Sequence, residues 1–141
     1  MTPILRTPML AAHVSVIMVA YVLFLLIAVT AIVGLISKKR RDKFYRFNST
    51  LLYPAVFLLT AGIFIGAIWA NMSWGRYWGW DAKETWALIT MLVYSLPMHG
   101  ENIPFFKNPR KFHLYCALAF LVVLMTFLGV TYVLGGIHSY I

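Results

Sequence analysis

The stretch LLYPAVFLLTAGIFIGAIWA, residues 51–70, contains no charged side chain. A helix needs about 20 predominantly apolar residues to cross a hydrocarbon core about 30 Å thick. Three further apolar runs lie at residues 10–36, 82–99 and 112–134, and the run at 82–99 would extend about 27 Å as a helix. None of the four runs shows the period-two alternation of a half-buried strand. The sequence therefore predicts an all-α membrane domain, residues 1–141, built from four helices.

Composition and charge placement support a membrane protein and indicate its orientation. The chain is 62% hydrophobic and 11% charged, whereas soluble domains carry roughly a quarter charged residues. The net charge of +8 is concentrated, with six Lys/Arg in residues 38–46 and three in residues 107–111. Both clusters fall in predicted loops on one side, so the positive-inside rule predicts cytoplasmic clusters and extracytoplasmic termini. We interpret them as a topology signal next to membrane lipid, and we expect no nucleic-acid partner.

All five tryptophans lie in WANMSWGRYWGWDAKETW, residues 69–86. The predicted loop between helices 2 and 3, at about residues 71–86, is then Trp-rich and extracytoplasmic. Tryptophans at a membrane surface are typical of an interfacial aromatic belt, but they also suit a platform for a large flat ligand, since indole rings pack against aromatic faces. Both interpretations remain open from spacing alone. The candidate platform residues are Trp74, Trp78, Trp80 and Trp86.

Two carboxylates follow the first four tryptophans, at the start of the third helix. Asp81 is a plausible N-cap, with Glu84 as its capping-box partner. Asp81 could instead orient a ligand histidine. No acid/base pair stands out in the sequence, so we assign no catalytic residue.

The four histidines form two groups along the predicted topology. His13 and His138 lie on the first and last helices at the side of the Trp-rich loop, whereas His99 and His113 lie toward the opposite side. Two imidazoles on separate helices beside a patch of indoles suit a haem, because imidazole nitrogens can take both axial positions on the iron. Arg76 could pair with a haem propionate.

The motif WGRYWGWDAKETWALIT (residues 74–90) resembles the tryptophan-rich WWD signature of the haem-handling membrane proteins of cytochrome c assembly. The wider stretch AGIFIGAIWANMSWGRYWGWDAKETWALITMLVYSLPMHG (61–100) is similar to the CcsA type, the membrane component of the system II cytochrome c synthase. HVSVIMVAYVLF (13–24) and LGGIHSY (134–140) are similar to that type as well.

The resemblance implies that an external WWD site holds haem b between His13 and His138. It assigns His99 to a second, membrane-embedded haem site. It further implies that haem is presented at the external WWD site for covalent attachment to the CxxCH motif of apocytochrome c. The chain would be a component of the synthase, in the bacterial inner membrane, and is not clearly catalytic alone. Family members are longer, so we expect this chain to be the C-terminal four-helix part, completed by upstream helices or a CcsB-type partner subunit.

Two other functions are compatible with the same residues. A haem export or delivery subunit would bind haem at the same site without attaching it to a protein. A b-type electron-transfer subunit would keep a bis-histidine haem through redox cycles and would need the tryptophans only as anchors.

Overall fold

The structure is a computed structural model that describes residues 8–76, 78–80 and 82–128, with the backbone alone at 73, 74, 82 and 83. A π turn at residues 125–128 extends the last helix, and these ranges contain no strand. The all-α prediction is therefore confirmed for the described residues. The helices are α1 (Pro8–Ile36), α2 (Lys38–Trp74), α3 (Ala82–Ser95), α4 (Pro104–Lys107) and α5 (Pro109–Leu124), with a 3-10 turn at Leu96–His99.

Three helices in the described ranges are long and apolar enough to cross a membrane, namely Pro8–Ile36, Lys38–Met72 and Pro109–Leu128. The run at 82–99, predicted to be a fourth continuous helix, is α-helical only to Ser95. The 3-10 turn that follows contains Pro97, which lacks a backbone N–H and disfavours a continuing α-helix. The 14 residues of α3 rise about 21 Å. Residues 129–134 of the last predicted run lie outside the described part of the chain.

The connection between α1 and α2 is a single residue, Ser37. The basic run 38–46, predicted to be a loop, instead forms the first turns of α2. Its Arg41 donates from Nε to the carbonyl of Gly34 at 2.9 Å and from Nη2 to that of Leu35 at 3.0 Å. The last carbonyls of a helix lack intrahelical partners and carry partial negative charge. Arg41 therefore caps α1, a structural role in addition to its contribution to the charge asymmetry.

Close packing of α1 against α2 depends on two glycines of α2. A Cβ added at Gly62 would lie 2.5 Å from Ile17 Cδ1, and one added at Gly66 would lie 2.5 Å from His13 Cε1. Small residues four apart let two membrane helices approach closely. Side chains of α1 fill the space that the glycines leave.

The larger of two buried apolar clusters in the described residues joins the long helices. Phe24 of α1 stacks on Tyr94 of α3 with ring centroids 4.1 Å apart, and Leu59 of α2 and Cys116 of α5 are fully buried in the same cluster. Large apolar side chains also cover the outer surface, among them Val22, Phe57 and Phe64. This outer surface suits an apolar solvent such as a bilayer.

Buried polar pairs connect the helices inside this core. The Thr30 hydroxyl of α1 lies 2.7 Å from Asn48 Oδ1 of α2. The hydroxyls of Thr90 and Thr126 are 2.9 Å apart, and Thr126 also donates to the Trp86 carbonyl at 3.2 Å. Each pair satisfies polar groups that would be costly to leave unpaired in an apolar interior. The pairs therefore fix the register between neighbouring helices.

We expect Asn48→Leu to lower the free energy of unfolding by about 1 kcal/mol, because interhelical hydrogen bonds between membrane helices contribute about that much. Thermal unfolding of the detergent-purified chain measures the change. The matched control is Thr50→Val, since Thr50 is exposed and its hydroxyl donates to the carbonyl of Arg46 in its own helix. Equal stability of the two variants would contradict a stabilising role for the Thr30–Asn48 pair.

Candidate functional site

One end of the molecule collects most of the predicted site residues. This Trp-rich end comprises the first turns of α1, the last turns of α2, residues 75, 76 and 78–80, and the start of α3. Leu10 of α1 packs in one buried cluster with Trp69 and Ala70 of α2, so α1 begins where α2 ends. The opposite, basic end comprises the α1–α2 junction and residues 99–111.

The chain leaves α2 through a glycine. Gly75 adopts the left-handed conformation with φ 77°, and its N–H donates to the Asn71 carbonyl at 2.9 Å. A residue with a Cβ is strained in this conformation. Gly75 thereby ends α2.

A carboxylate of α3 anchors the segment that follows. The Gly79 N–H donates to Glu84 Oε2 at 2.8 Å, and Glu84 is only 9% exposed. The guanidinium of Arg76 packs over Gly79, where an added Cβ would lie 3.1 Å from Arg76 Nε. Glu84 thus bonds the backbone two residues upstream of the predicted N-cap, whereas a capping box would direct its carboxylate to the Asp81 N–H. Asp81, its predicted partner, lies outside the described residues, and its role stays a prediction.

Two of the predicted platform residues, Trp78 and Trp80, contact each other in an edge-to-face arrangement with centroids 5.5 Å apart. Trp80 is 66% exposed and has φ 54°, a conformation that costs a residue with a Cβ about 1 kcal/mol or more. Trp86 is half-buried on α3, whereas Trp69 is buried to 1%. The side chain of Trp74 lies outside the described part of the structure.

His13 is half-buried on α1, and its ring orientation is fixed by α2. Its Nδ1 lies 2.7 Å from the Gly62 carbonyl oxygen, which can only accept. Nδ1 therefore carries the proton in the neutral imidazole, and the ring lone pair resides on Nε2. The ring also packs on Gly66, where a Cβ would overlap it. This hydrogen bond is of the type that orients imidazole ligands in metal sites.

The other predicted histidine ligands are not brought to His13 in the described residues. His99 is exposed in the 3-10 turn at the basic end, where Tyr53 Oη lies 3.5 Å from the neighbouring Met98 carbonyl. Tyr53 and Gly62 are nine residues apart on α2, about 13 Å of helix rise. His99 and His13 therefore occupy separate regions. His138 lies outside the described residues.

Sequence reasoning missed the role of His113, which it placed only toward the side opposite the Trp-rich loop. His113 is fully buried, and its Nε2 donates to the Arg41 carbonyl at 2.9 Å. Gly34 makes the necessary room, since a Cβ there would lie 2.5 Å from His113 Nε2. The sequence signal that could have indicated burial is the helical spacing of Phe112, Cys116, Ala119 and Val123, which form a buried stripe on α5. His113 lies beside this stripe.

Comparison with known proteins identifies similar sequences along the whole chain. The model of a family described as cytochrome c assembly protein matches residues 1–138. The chain is 36% identical, over 99% of its length, to cytochrome c biogenesis protein CcsA of Chlamydomonas reinhardtii, of which it covers 42%. It is also 36% identical to the CcsA protein of Guillardia theta, covering 56% of that protein, and 37% identical to protein NrfI of Wolinella succinogenes, covering 17%. The chain thus spans little more than half, or less, of these relatives.

We expect Glu84→Leu to loosen residues 75–80, because the Gly79 N–H loses a charged acceptor whose hydrogen bond contributes about 1.5–3 kcal/mol. Limited trypsin digestion, followed by mass spectrometry, measures cleavage after the exposed Arg76, which should become about tenfold faster. Glu84→Gln keeps an acceptor oxygen and should lie near wild type. Glu101→Leu, at an exposed glutamate of the basic end, is the matched control. Wild-type cleavage after Arg76 in Glu84→Leu would show that the carboxylate does not anchor this segment.

Proposed function

The chain belongs to the cytochrome c assembly protein family, and from this premise we propose that it is the haem-presenting part of a cytochrome c synthase. Haem b is its substrate, held at the Trp-rich end for covalent attachment to the CxxCH motif of apocytochrome c. The observation that carries the proposal is the hydrogen bond from His13 to Gly62, which holds an imidazole in one tautomer at the end that also exposes Trp80.

His13 fits an iron ligand in its protonation and its support. A ligand imidazole must present an unprotonated nitrogen, and a carbonyl acceptor on the other nitrogen fixes the tautomer. Gly62 supplies that carbonyl, and the flat contact with Gly66 limits rotation of the ring. In the proposal His138 supplies the second axial imidazole.

The Trp78–Trp80 pair fits a surface for a porphyrin. Trp80 combines an exposed indole with a positive φ, and strained backbone conformations of this kind cluster at ligand sites. The Arg76 guanidinium, exposed beside Gly79, can pair with a propionate. We propose that Trp74, Trp86 and Asp81 complete the same surface.

His99 belongs to a second haem site in this proposal, because it lies too far along α2 from His13 for the two imidazoles to share one iron. Its exposure in the 3-10 turn at the basic end leaves the ring available to a group carried by other helices. The chain covers at most 56% of the compared relatives named above. Upstream helices or a CcsB-type subunit would then supply the second iron ligand of the site that contains His99.

The orientation follows from charge. Nine Lys/Arg residues lie in the two clusters of the basic end, so we place that end in the cytoplasm and the Trp-rich end and both termini outside. The 37 residues of α2 extend about 55 Å, so its basic first turns project beyond the hydrocarbon core. With its 3-10 turn, α3 forms the fourth span, of about 29 Å, in a bacterial inner membrane.

The chemistry of attachment resides in the substrates. Haem supplies vinyl groups, and the CxxCH motif supplies the thiols that add across them. The residues of this chain orient the haem against the apocytochrome and limit its rotation, which lowers the entropic part of the barrier.

We expect His13→Gly and His138→Gly each to weaken the bis-histidine absorption spectrum of the detergent-purified chain, because each removes an axial ligand. Added imidazole should restore part of the signal by filling the vacated position. Ser15→Gly, at an exposed position of α1, controls for the cost of glycine in a helix. Wild-type haem content and spectrum in both histidine variants would overturn the ligand assignment.

We expect Trp80→Leu to reduce haem retention severalfold during gel filtration, because the indole offers contact area that leucine lacks. Phe64→Leu removes an equally exposed aromatic ring from the face of α2 opposite Gly62 and Gly66, and should retain wild-type haem. Trp69 is buried and anchors α2, so its replacement should reduce thermal stability more than haem retention. Equal haem retention in the Trp80 and Phe64 variants would indicate that Trp80 belongs to an interfacial aromatic belt and does not contact haem.

A further inference from the structure

A groove of about 450 Å³ opens between α1 and α5 at the basic end. We call it the basic-end groove. It lies at the opposite end of the helices from His13, and the proposed haem presentation makes no use of it. Its lining residues are Leu35, Asn108, Arg110, Lys111 and Leu114.

The groove combines two kinds of surface. Arg110 and Lys111 are exposed at its rim, and no carboxylate is among its lining residues. The Lys111 ammonium lies 5.6 Å from the centroid of the Phe105 ring, a cation–π contact that keeps the charge near the rim. Leu35 and Leu114 form the wall, with Leu114 48% exposed. A ligand that matches both surfaces carries an anionic group joined to an apolar chain.

The backbone around the groove is firmly held. Leu35 belongs to the last turn of α1, where Arg41 bonds the carbonyls of Gly34 and Leu35. Asn108 caps α5, and its side chain accepts from the Arg110 N–H at 3.0 Å. Both walls of the groove therefore exist before a ligand binds, which lowers the entropic cost of binding.

We propose that the basic-end groove binds one anionic phospholipid, with its phosphate at Arg110 and Lys111 and an acyl chain along Leu35 and Leu114. The membrane-capable segment Pro109–Leu128 begins at this level, so its first turn lies where headgroups lie. Basic pockets between membrane helices are typical sites for anionic headgroups. Inorganic phosphate would use only the cations, and a nucleic acid would gain nothing from a leucine wall. This site does not depend on the proposed haem function.

Native mass spectrometry of the full 141-residue chain in detergent, titrated with phosphatidylglycerol, tests the proposal. Removing a cation near an anionic lipid should weaken binding about fivefold, so Arg110→Gln/Lys111→Gln together should weaken it about 25-fold. The matched control, Lys38→Gln/Lys39→Gln, removes the same charge from exposed positions outside the groove and should change the affinity less than twofold. Leu114→Ser should weaken phosphatidylglycerol binding severalfold through loss of the apolar wall.

Phosphatidylcholine and inorganic phosphate are the comparison ligands. Strong selectivity for phosphatidylglycerol over both supports the proposal. Equal losses of phosphatidylglycerol affinity in the two double variants would mean a diffuse electrostatic attraction. Equal binding of phosphatidylcholine would mean a merely apolar contact. Competition by millimolar phosphate would mean a simple anion site. Any of these three results would overturn it. Gel filtration and thermal unfolding of each variant verify that the fold is intact.

Discussion

The close contact between α1 and α2 supports everything else in the described structure. Gly62 and Gly66 remove the side chains that would separate the two helices, and His13 and Ile17 occupy the space. In an apolar solvent the hydrophobic effect gives little drive for helix association, so packing and internal hydrogen bonds must supply it. The same contact therefore stabilises the helix pair and orients the imidazole on which the proposed function depends.

The two ends of the helix bundle differ in chemistry. At the Trp-rich end, a glycine ends α2, a buried carboxylate anchors the next segment, and the indole of Trp80 is exposed. At the basic end, cations cap α1 and line a groove between α1 and α5. Aromatic contact area suits a flat ligand, whereas cations above leucines suit an amphiphilic anion. We therefore assign different ligands to the two ends.

Buried polar groups account for much of the specificity of the fold. The Thr30–Asn48 pair, the Thr90–Thr126 pair and the His113–Arg41 bond each join helices that apolar packing alone would allow to slide. In a core without water, an unpaired donor costs more than a slightly imperfect apolar contact. These pairs therefore select one register among several of similar apolar packing.

The sequence by itself determined the membrane class, the helical content, the asymmetry of charge and the clustering of tryptophans near one loop. Each of these follows from local quantities, namely the length of an apolar run, the position of charges and the composition of a short window. It also placed Glu84 in the first turn of the third helix, but the N–H that Glu84 accepts from, that of Gly79, lies upstream of the predicted N-cap and was not predicted.

Only the tertiary structure decided that the basic run is helical, that Arg41 caps α1, that His113 is buried and that Gly62 fixes the tautomer of His13. His13 and Gly62 are 49 residues apart, and His113 and Arg41 are 72 apart. No periodicity or motif encodes such pairings, because they depend on which faces of distant helices meet once the chain has packed.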